Sequence, residues 1–447
     1  MLHPGLGIGA AVCIVTSLVP AAPVAAQADL AGSWHGQVVR DGFAWNVILH
    51  VAWRDGVPIV RVSFPDWGMF LVEADSVGVT GTELRFTTDW FRSSFLARVS
   101  ANSLAGNWRF GTRPATVHLS RTSAHAGLLH LEPVAVVADD GARLAGTLIL
   151  PEGEPPYAGM VLTHGSGPDT RRTWPYVSKA HLAARNGLAV LVYDKRGAGQ
   201  STGDGAHEPG RLTADAARML AYLRADPRID RHRTGIGGAS QGAWVAAELG
   251  ATDPEIAFVF TVATPGLPGS EQNVFSLETR LTAQGVPPDS VRAAKQALRA
   301  LYEYYRTGSA ANRAEAVALI EAPDPDWSEH ELFRRLMFSP GGVVYPTVDP
   351  GAWSSMFIDP LSWWREVRVP VIAIWGEEDI NVPARYSRDV IEAALRHAGN
   401  THYELYVFPR AGHGVALENL APGDWPRMAP GYVEAMASWF ASQSGRP

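Results

Sequence analysis

Residues 233–249 read RTGIGGASQGAWVAAEL, and this stretch decides how the rest of the 447-residue sequence is interpreted. The run Arg233–Gly237 predicts a strand, and Gln241–Leu249 predicts a helix. Between them, Gly238–Gly242 has the pattern Gly-x-Ser-x-Gly, whose small residues permit a sharp turn with strained backbone torsions. Such a turn exposes the hydroxyl of Ser240 and directs the first N–H groups of the helix at a bound group. The pattern alone is common, but its position between a strand and a helix predicts a nucleophilic serine. The alternative is a glycine-rich packing turn.

Predicted strands and helices alternate on both sides of this stretch, after a predicted hairpin, Val134–Val137 with Arg143–Leu150. The strands are Ala158–Thr163, Leu188–Asp194, Ile256–Thr261, Val369–Trp375 and Tyr403–Phe408, and the helices are Tyr176–Asn186, Leu212–Ala225 and Tyr432–Ser442. This alternation predicts an α/β fold, in which helices cover both faces of a mostly parallel sheet. We assign residues 128–447 to this domain.

The alternation stops between residues 266 and 360. Ser290–Thr307 and Ala310–Leu319 predict helices, and Trp327–Met337 is a further helical candidate. A long helical insertion after a core strand predicts a cap over the strand ends, and a peripheral decoration is the alternative. We favour the cap because both ends of the insertion flank the predicted catalytic segments.

Residues 29–127 predict an all-β domain, because short alternating apolar stretches recur there with Gly, Asp and Asn between them. A small sandwich and an open barrel are both consistent with this pattern.

Residues 1–28 predict a secretory signal peptide, with the apolar run Leu6–Val19 and the small-x-small site Ala26–Ala28. A retained membrane anchor is the alternative, although the run is shorter than the roughly 20 residues that a span needs. We therefore expect a secreted or periplasmic protein with no stable membrane insertion after cleavage.

Composition and charge argue against several classes of protein. The chain is 46% hydrophobic and 19% charged, as is usual for a globular protein. Its formal net charge of −7 and the lack of a basic run argue against a nucleic-acid partner. Cys13 is the one cysteine and lies in the predicted signal peptide, so no disulfide is expected after cleavage. No metal-binding or dinucleotide-binding pattern is found, so neither a metal nor a cofactor is expected.

A serine nucleophile needs a base, and at such a turn the acid and then the histidine follow the serine along the chain. His413 lies in a loop directly after the predicted strand Tyr403–Phe408. Weaker candidates are His330, His397 and His402. The acid should follow the preceding strand, where three carboxylates stand together: Glu377, Glu378 and Asp379. This acid would hold one tautomer of the imidazole and stabilise the imidazolium.

An oxyanion hole needs two N–H donors that point at the developing negative charge. The first should be the backbone N–H of Gln241, directly after the serine. The second should lie in the loop His164–Pro168, where we predict Ser166 and, as the alternative, Gly165. We expect His164 to brace this loop. The segment Asp194–Ser201 predicts a structural turn, in which an Asp–Arg pair supports the loop, and direct contact with the substrate is the alternative.

These motifs resemble the α/β-hydrolase superfamily over roughly residues 130–447. The closest likeness is to bacterial secreted esterases and serine-aminopeptidase-like hydrolases with H-G-S-G-P, D-x-R-G-x-G-x-S and G-x-S-x-G-G elements. His164–Pro168, Asp194–Ser201 and Gly238–Gly242 stand at these places, with Ala243 where the last glycine often lies. The N-terminal region resembles the β-domain that is attached to some secreted esterases of this group.

The resemblance implies an α/β-hydrolase fold with a helical cap insertion, and it favours Asp379 as the acid because the loop Ile380–Pro383 fits the family. It also implies acyl transfer to water through an acyl-enzyme, with Ser240 as nucleophile and His413 as base. The substrate could be a small-molecule carboxylic ester, or a peptide or amide cleaved by the same triad. A third hypothesis is a non-catalytic binding protein that works through its β-domain.

Overall fold

The computed structural model describes residues 30–88, 92–111, 113–122, 129–204, 209–320, 356–418 and 427–445. The predicted signal peptide, His330 and the predicted helix Trp327–Met337 lie outside these described residues. Within the described part of the chain, no helix combines the length and the apolarity that crossing a bilayer requires.

The N-terminal region forms one antiparallel sheet with the order β4-β3-β2-β1-β9-β8-β7-β6-β5. Its strands are β1 (Gly32–Arg40), β2 (Phe43–Arg54), β3 (Val57–Phe64), β4 (Met69–Glu73), β5 (Ser76–Thr80), β6 (Glu83–Thr88), β7 (Ser93–Ser100), β8 (Ser103–Phe110) and β9 (Arg113–Thr122). The sheet curls, because Ala74 donates a hydrogen bond to Val60 on β3 and Asp75 donates one to Thr87 on β6. The inward side chains of its strands therefore share a single apolar core. This region is all-β, as predicted, and is a curled sheet rather than two packed sheets.

The remaining strands form a mostly parallel sheet with the order β10-β11-β13-β12-β14-β15-β16-β17. These strands are β10 (His130–Val137), β11 (Arg143–Leu150), β12 (Tyr157–Thr163), β13 (Ala189–Tyr193), β14 (Ile229–Ala239), β15 (Ile256–Val262), β16 (Val371–Gly376) and β17 (Tyr403–Phe408). The pairs β10–β11 and β11–β13 are antiparallel, and all the other neighbours are parallel. Every residue of β12, β13 and β16 is buried, as expected for strands covered on both faces.

Helices cover both faces of this sheet. The helices of the described residues after β12 are α1 (Trp174–Arg185), α2 (Pro209–Ala225), α3 (Gln241–Thr252), α4 (Gly269–Ala283), α5 (Pro288–Thr307), α6 (Ala310–Ile320), α7 (Leu361–Trp364), α8 (Ala384–His397) and α9 (Tyr432–Ser444), of which α4, α5 and α6 belong to the insertion. Helices α1 and α9 share one apolar core with the sheet, and α2, α3 and α8 share another. The α/β fold predicted from the alternation is confirmed.

The insertion after β15 has an apolar core of its own, formed by α4, α5 and α6. Sequence analysis missed α4, although its buried Val274, Leu277 and Leu281 have helical spacing. Helix α4 also contacts the loop after β16, because Arg280 Nη2 donates a 2.7 Å hydrogen bond to Asn381 Oδ1. The insertion therefore lies against the loop that carries Asp379.

Candidate active site

The turn that joins β14 to α3 holds Ser240 in a strained backbone conformation, with φ 54° and ψ −118°. Non-glycine residues rarely adopt positive φ, and such strain is characteristic of functional sites. The two glycines of the motif are required by close approach. A Cβ atom on Gly238 would lie 2.1 Å from the carbonyl oxygen of Gly242, and one on Gly242 would lie 2.7 Å from that of His164. Only a chain with these small residues can make the turn.

The loop that contains Gly165 and Ser166, the two candidates for the second oxyanion donor, begins beside this turn. Strands β12 and β14 are parallel neighbours, and Thr163 at the end of β12 pairs with Gly238. The Thr163 hydroxyl lies 3.0 Å from the carbonyl oxygen of Gly242, so it ties β12 to the start of α3. A Cβ atom on Gly165 would lie 3.7 Å from the Cβ of Ser240. The backbone of this loop therefore passes directly next to the serine.

The predicted base and acid meet at the same edge of the sheet. His413 Nδ1 lies 2.7 Å from Asp379 Oδ2. The other oxygen of Asp379 accepts hydrogen bonds from the backbone N–H groups of Asn381 and Val382, at 2.7 and 3.1 Å. The Asp379 side chain is fully buried, whereas a third of the His413 side chain is exposed. An acceptor at Nδ1 favours the tautomer in which Nε2 is free to take a proton.

The structure distinguishes Asp379 from its two rivals. The Glu377 side chain is turned toward solvent, where Arg385 Nε donates a 2.9 Å hydrogen bond to it. The backbones of Glu377 and Glu378 instead connect the acid loop to the segment after β17, through hydrogen bonds to Phe408 and Ala411, both 2.8 Å. Among the three carboxylates, Asp379 is the one that bonds to His413.

Two of the three weaker histidine candidates, His397 and His402, lie at the opposite edge of the sheet from Ser240. His402 precedes β17 and His397 ends α8, so both are at the amino ends of the strands. Ser240 and His413 follow the carboxyl ends of β14 and β17. Parallel strands place all their carboxyl ends at one edge, and a group at the other edge cannot reach the serine.

The structure joins the base to the acid but does not join the serine to the base. Among the described residues, Ser240 Oγ has no hydrogen-bond partner. Strands β15 and β16 lie between β14 and β17, so the His413 loop must reach back across them. Catalytic hydrogen bonds are often long in ligand-free enzymes and tighten when substrate binds. Ser240 and the His413–Asp379 pair therefore lie at the same edge of the sheet, with no hydrogen bond between Ser240 and His413 among the described residues.

The two N–H groups proposed first for the oxyanion hole are available. Neither Gln241 N–H nor Ser166 N–H donates a hydrogen bond within the described part of the chain. Gly165, the alternative donor, is different, because its N–H donates a 2.6 Å hydrogen bond to the Tyr176 hydroxyl. That hydroxyl donates in turn to Asp169, at 3.1 Å, and burial raises the pKa of Tyr176. The alternative assignment to Gly165 therefore disagrees with this arrangement, and Ser166 is the better candidate.

Lys195 connects the two sides of this candidate oxyanion hole, a role that sequence analysis missed. Its Nζ donates hydrogen bonds to the carbonyl oxygens of Gly165 and Gly167, at 2.8 and 3.3 Å, and to Gln241 Oε1, at 2.8 Å. Burial lowers the pKa of this ammonium group from 10.5 to about 8. The ammonium group thus holds the Ser166 loop and the start of α3 at a fixed separation.

His164 fixes the start of the same loop against the neighbouring strand β13. Its Nε2 lies 2.5 Å from the carbonyl oxygen of Tyr193 on β13. Burial, and to a lesser degree the charge of Lys195, lowers the pKa of His164 to about 3. A histidine that stays neutral and fully buried can anchor the loop but is a poor base near neutral pH.

The Asp–Arg pair predicted within Asp194–Ser201 does not form, because Asp194 and Arg196 bond to residues outside this segment. Asp194 accepts hydrogen bonds from the backbone N–H and the guanidinium of Arg171, at 2.9 and 2.5 Å. Arg196 instead bonds to Asp215 and Asp140, at 2.6 and 2.7 Å. Asp194 therefore fixes the segment at Arg171, just after the loop that contains Ser166.

No group of three or more His, Cys, Asp or Glu side chains is placed to hold a metal ion among the described residues.

A parallel sheet whose carboxyl edge carries a strained serine turn and a His–Asp pair defines the class as a hydrolase of the α/β type. The profile of the alpha/beta hydrolase family matches residues 160–424, which is more than half of the chain. This protein therefore belongs to the alpha/beta hydrolase family.

Individual relatives are more distant. The chain is 29% identical over 125 residues to thiohydrolase aneE of Aspergillus aculeatus, and the match spans 28% of this chain and 38% of that protein. An esterase of Pyrococcus furiosus is 16% identical with a TM-score of 0.44, covering 70% of this chain and 90% of the esterase. Proline iminopeptidase of Mycobacterium smegmatis is 20% identical with a TM-score of 0.42, covering 70% of this chain and 99% of the peptidase. None of these likenesses is close enough to indicate a substrate.

Proposed function

We propose that this protein is a serine hydrolase that cleaves carboxylic esters of small molecules. Ser240 is the nucleophile, His413 the general base and Asp379 the acid that orients it. The observation that carries the proposal is the 2.7 Å contact between His413 Nδ1 and the buried carboxylate of Asp379. It occurs at the edge of the sheet where a positive-φ turn presents the Ser240 hydroxyl.

In this mechanism Asp379 keeps the proton of His413 on Nδ1, so Nε2 accepts the proton of Ser240 as Oγ attacks the ester carbonyl. The carbonyl oxygen becomes an oxyanion, which accepts hydrogen bonds from Gln241 N–H and Ser166 N–H. His413 then protonates the leaving alcohol, and an acyl-enzyme remains on Ser240. Water attacks this ester with the same base, and the carboxylic acid is released.

The test is hydrolysis by the purified full chain of p-nitrophenyl esters of increasing acyl length, with aminoacyl p-nitroanilides measured in parallel. Ser240→Ala should lower kcat by at least about 10⁴-fold, because the residual rate comes from binding and the oxyanion hole alone. Ser103→Ala changes an exposed serine at the start of β8 and is the matched control. Unchanged ester hydrolysis in Ser240→Ala would exclude the proposed nucleophile.

Two other outcomes would redirect the proposal. Faster cleavage of the anilides than of the esters would favour the peptidase or amidase alternative, which uses the same triad. No turnover of either series, with no covalent labelling of Ser240 by a fluorophosphonate, would favour the non-catalytic binding protein. Labelling followed by peptide mass spectrometry reports on the serine without knowledge of the substrate.

We also propose that the protein is exported and that residues 1–28 are removed. The support is the apolar run Leu6–Val19 followed by the small-x-small site Ala26–Ala28. Mass spectrometry of the protein from the culture medium or periplasm should give a chain that starts at Asp29. An intact N terminus in the membrane fraction would instead indicate a retained anchor.

A further inference from the structure

A cavity of about 350 Å³ lies where the N-terminal sheet meets the hydrolase sheet. Its apolar wall includes Leu71 from β4, Leu131 and Ile149 from β10 and β11, Val177 from α1, and Val192 from β13. None of the proposed catalytic residues lines it. Its volume is at the lower end of the roughly 300–1,000 Å³ that is usual for pockets that bind small molecules.

The polar side of this cavity is strongly basic. Arg54 and Arg61 reach it from β2 and β3, and Arg172 reaches it from the loop before α1. Glu73 is the one carboxylate in the lining, and it lies 3.8 Å from Arg61 and 3.6 Å from Arg172. Arg54 forms no ion pair with any residue that the structure describes. The lining thus has three guanidinium groups and a single carboxylate, so its net charge is positive.

A fourth arginine, Arg171, also lines the cavity, but its charge is compensated. Its guanidinium bonds to Asp194 at 2.5 Å and to the Gln200 amide oxygen at 2.7 Å. It therefore adds donors to the wall without adding net charge. Because Asp194 fixes the segment at Arg171, just after the loop that contains Ser166, one wall of the cavity is connected to the candidate active site.

Two buried histidines lie in or beside the lining of this cavity. His181 on α1 lines the cavity, is 1% exposed, and has a buried Nδ1 with no hydrogen-bond partner in the described part of the chain. Burial, with smaller contributions from the charges of Arg185 and Arg61, lowers its pKa to about 3. His50, which pairs with Arg61 across β2 and β3, has a pKa lowered to about 4 by the same causes. Both imidazoles are therefore neutral in a region of positive potential.

We propose that this cavity binds a small organic carboxylate with an apolar body. The carboxylate group contacts Arg54, Arg61 and Arg172, and the hydrocarbon part packs on the apolar wall. The arginines are exposed or half-buried, so a carboxylate would bind them from solvent through charge-assisted hydrogen bonds, and it could also pair with the buried Nδ1 of His181. Arginine is suited to this role, since its planar fork matches a carboxylate. The site is separate from Ser240 and does not depend on the proposed esterase activity.

The test uses isothermal titration calorimetry of the full chain with octanoate as the probe. Acetate carries the charge without the chain, and 1-octanol carries the chain without the charge. Octanoate should bind with one site per chain. 1-Octanol should bind at least about tenfold more weakly, since a hydrogen bond to a charged group contributes about that factor. Acetate should also bind at least about tenfold more weakly, since each buried CH₂ group contributes about 0.8 kcal/mol.

Two variants locate the binding site. The double change Arg54→Gln and Arg61→Gln should weaken octanoate binding by about ten- to a hundredfold. The matched control is Arg98→Gln, since Arg98 is an exposed arginine on the same sheet whose side chain is 78% accessible and lies 3.7 Å from Glu83. Leu131→Trp, at an edge position that is 40% exposed, should block the cavity while circular dichroism remains unchanged.

Several results would overturn the proposal. Equal binding of 1-octanol and octanoate would show that the cavity is only apolar. Unchanged octanoate affinity in the double arginine variant and in Leu131→Trp would place the ligand elsewhere, such as the candidate active site. No heat of binding for octanoate in the wild-type chain would remove the inference, whether or not the protein hydrolyses esters.

Discussion

Replacing Lys195 with methionine would remove the ammonium group that connects the two candidate oxyanion donors. Methionine has a similar length and an apolar end, so the buried site stays filled. The change deletes the hydrogen bonds to Gly165 and Gly167 in one loop and to the Gln241 side chain at the start of α3. It leaves the backbone N–H groups of Ser166 and Gln241 in the protein, but without the group that sets their separation.

The size of the effect on catalysis follows from this geometry. Loss of one oxyanion donor lowers kcat by about 10²–10³-fold, and a misplacement of about 1 Å can cost about 10²-fold. Since Lys195→Met displaces a donor rather than deleting it, we expect kcat to fall by about ten- to a hundredfold. KM should change by less than about threefold, because the donors act mainly on the charge of the transition state.

The assay is steady-state hydrolysis of the best p-nitrophenyl ester by the wild-type chain, Lys195→Met and a matched control. Lys295→Met is suitable as the control, because Lys295 lies on α5 in the insertion, where its Nζ pairs with Glu278 at 2.5 Å. It should retain the wild-type kcat.

The pH dependence separates this positioning role from a general loss of structure. Burial lowers the pKa of Lys195 to about 8, and a neutral amine has two protons for three acceptors. The wild-type kcat should therefore fall in part as the pH rises through about 8. In Lys195→Met this alkaline decrease should be missing.

Stability gives an independent measurement with a definite sign. The folded chain releases the Lys195 proton near pH 8, whereas the unfolded chain holds it up to about 10.5. Between these values the unfolded state binds more protons, so Lys195 adds to the free energy of unfolding as the pH rises. The free energy of unfolding of Lys195→Met, relative to wild type, should therefore decrease over this interval. Wild-type kcat and an unchanged pH profile in Lys195→Met would refute the role assigned to this lysine.

Two further predictions concern the triad and the serine turn. Asp379→Asn should lower kcat by about 10⁴-fold by permitting the wrong histidine tautomer, whereas Glu377→Gln should have little effect in the same ester assay. Equal losses in the two variants would contradict the choice of acid. Gly238→Ala should lower the free energy of unfolding by at least about 1–3 kcal/mol and abolish activity, because its Cβ would lie 2.1 Å from the Gly242 carbonyl oxygen. Gly210→Ala, whose Cβ would meet nothing within 4 Å, should be neutral or stabilising by thermal unfolding. A fully active Gly238→Ala would show that the turn is less constrained than described.

Sequence reasoning found the parts of the site that depend on short stretches of chain. The serine turn is partly local, because Gly238 is needed by its contact with Gly242 four residues later, whereas Gly242 is needed by its contact with His164 on a different segment. The positions of Asp379 and His413 followed from the rule that each loop after a parallel strand opens at one edge of the sheet. The preference for Asp379 over Glu377 and Glu378 needed the family resemblance, since three adjacent carboxylates have the same local pattern.

Side-chain partners across the sheet were not predictable in the same way. Asp194 was expected to pair within its own motif, but its partner Arg171 comes 23 positions earlier in the chain. Gly165 and Ser166 are equivalent donors by sequence, and only the position of Tyr176 on α1 shows that the N–H of Gly165 is occupied. Such choices depend on which side chains reach one point from different elements, and no local pattern records that.

By itself, the sequence determined the alternation of strands and helices, the position of the serine turn and the order of the catalytic candidates, because backbone propensity and side-chain periodicity act over short stretches of chain. The tertiary structure alone decided that Lys195 connects the two segments that carry the candidate oxyanion donors, and that Arg61 and His181 border one cavity between the sheets. Their electrostatics depend on burial and on charges that distant segments bring together. These quantities exist only once the chain has packed.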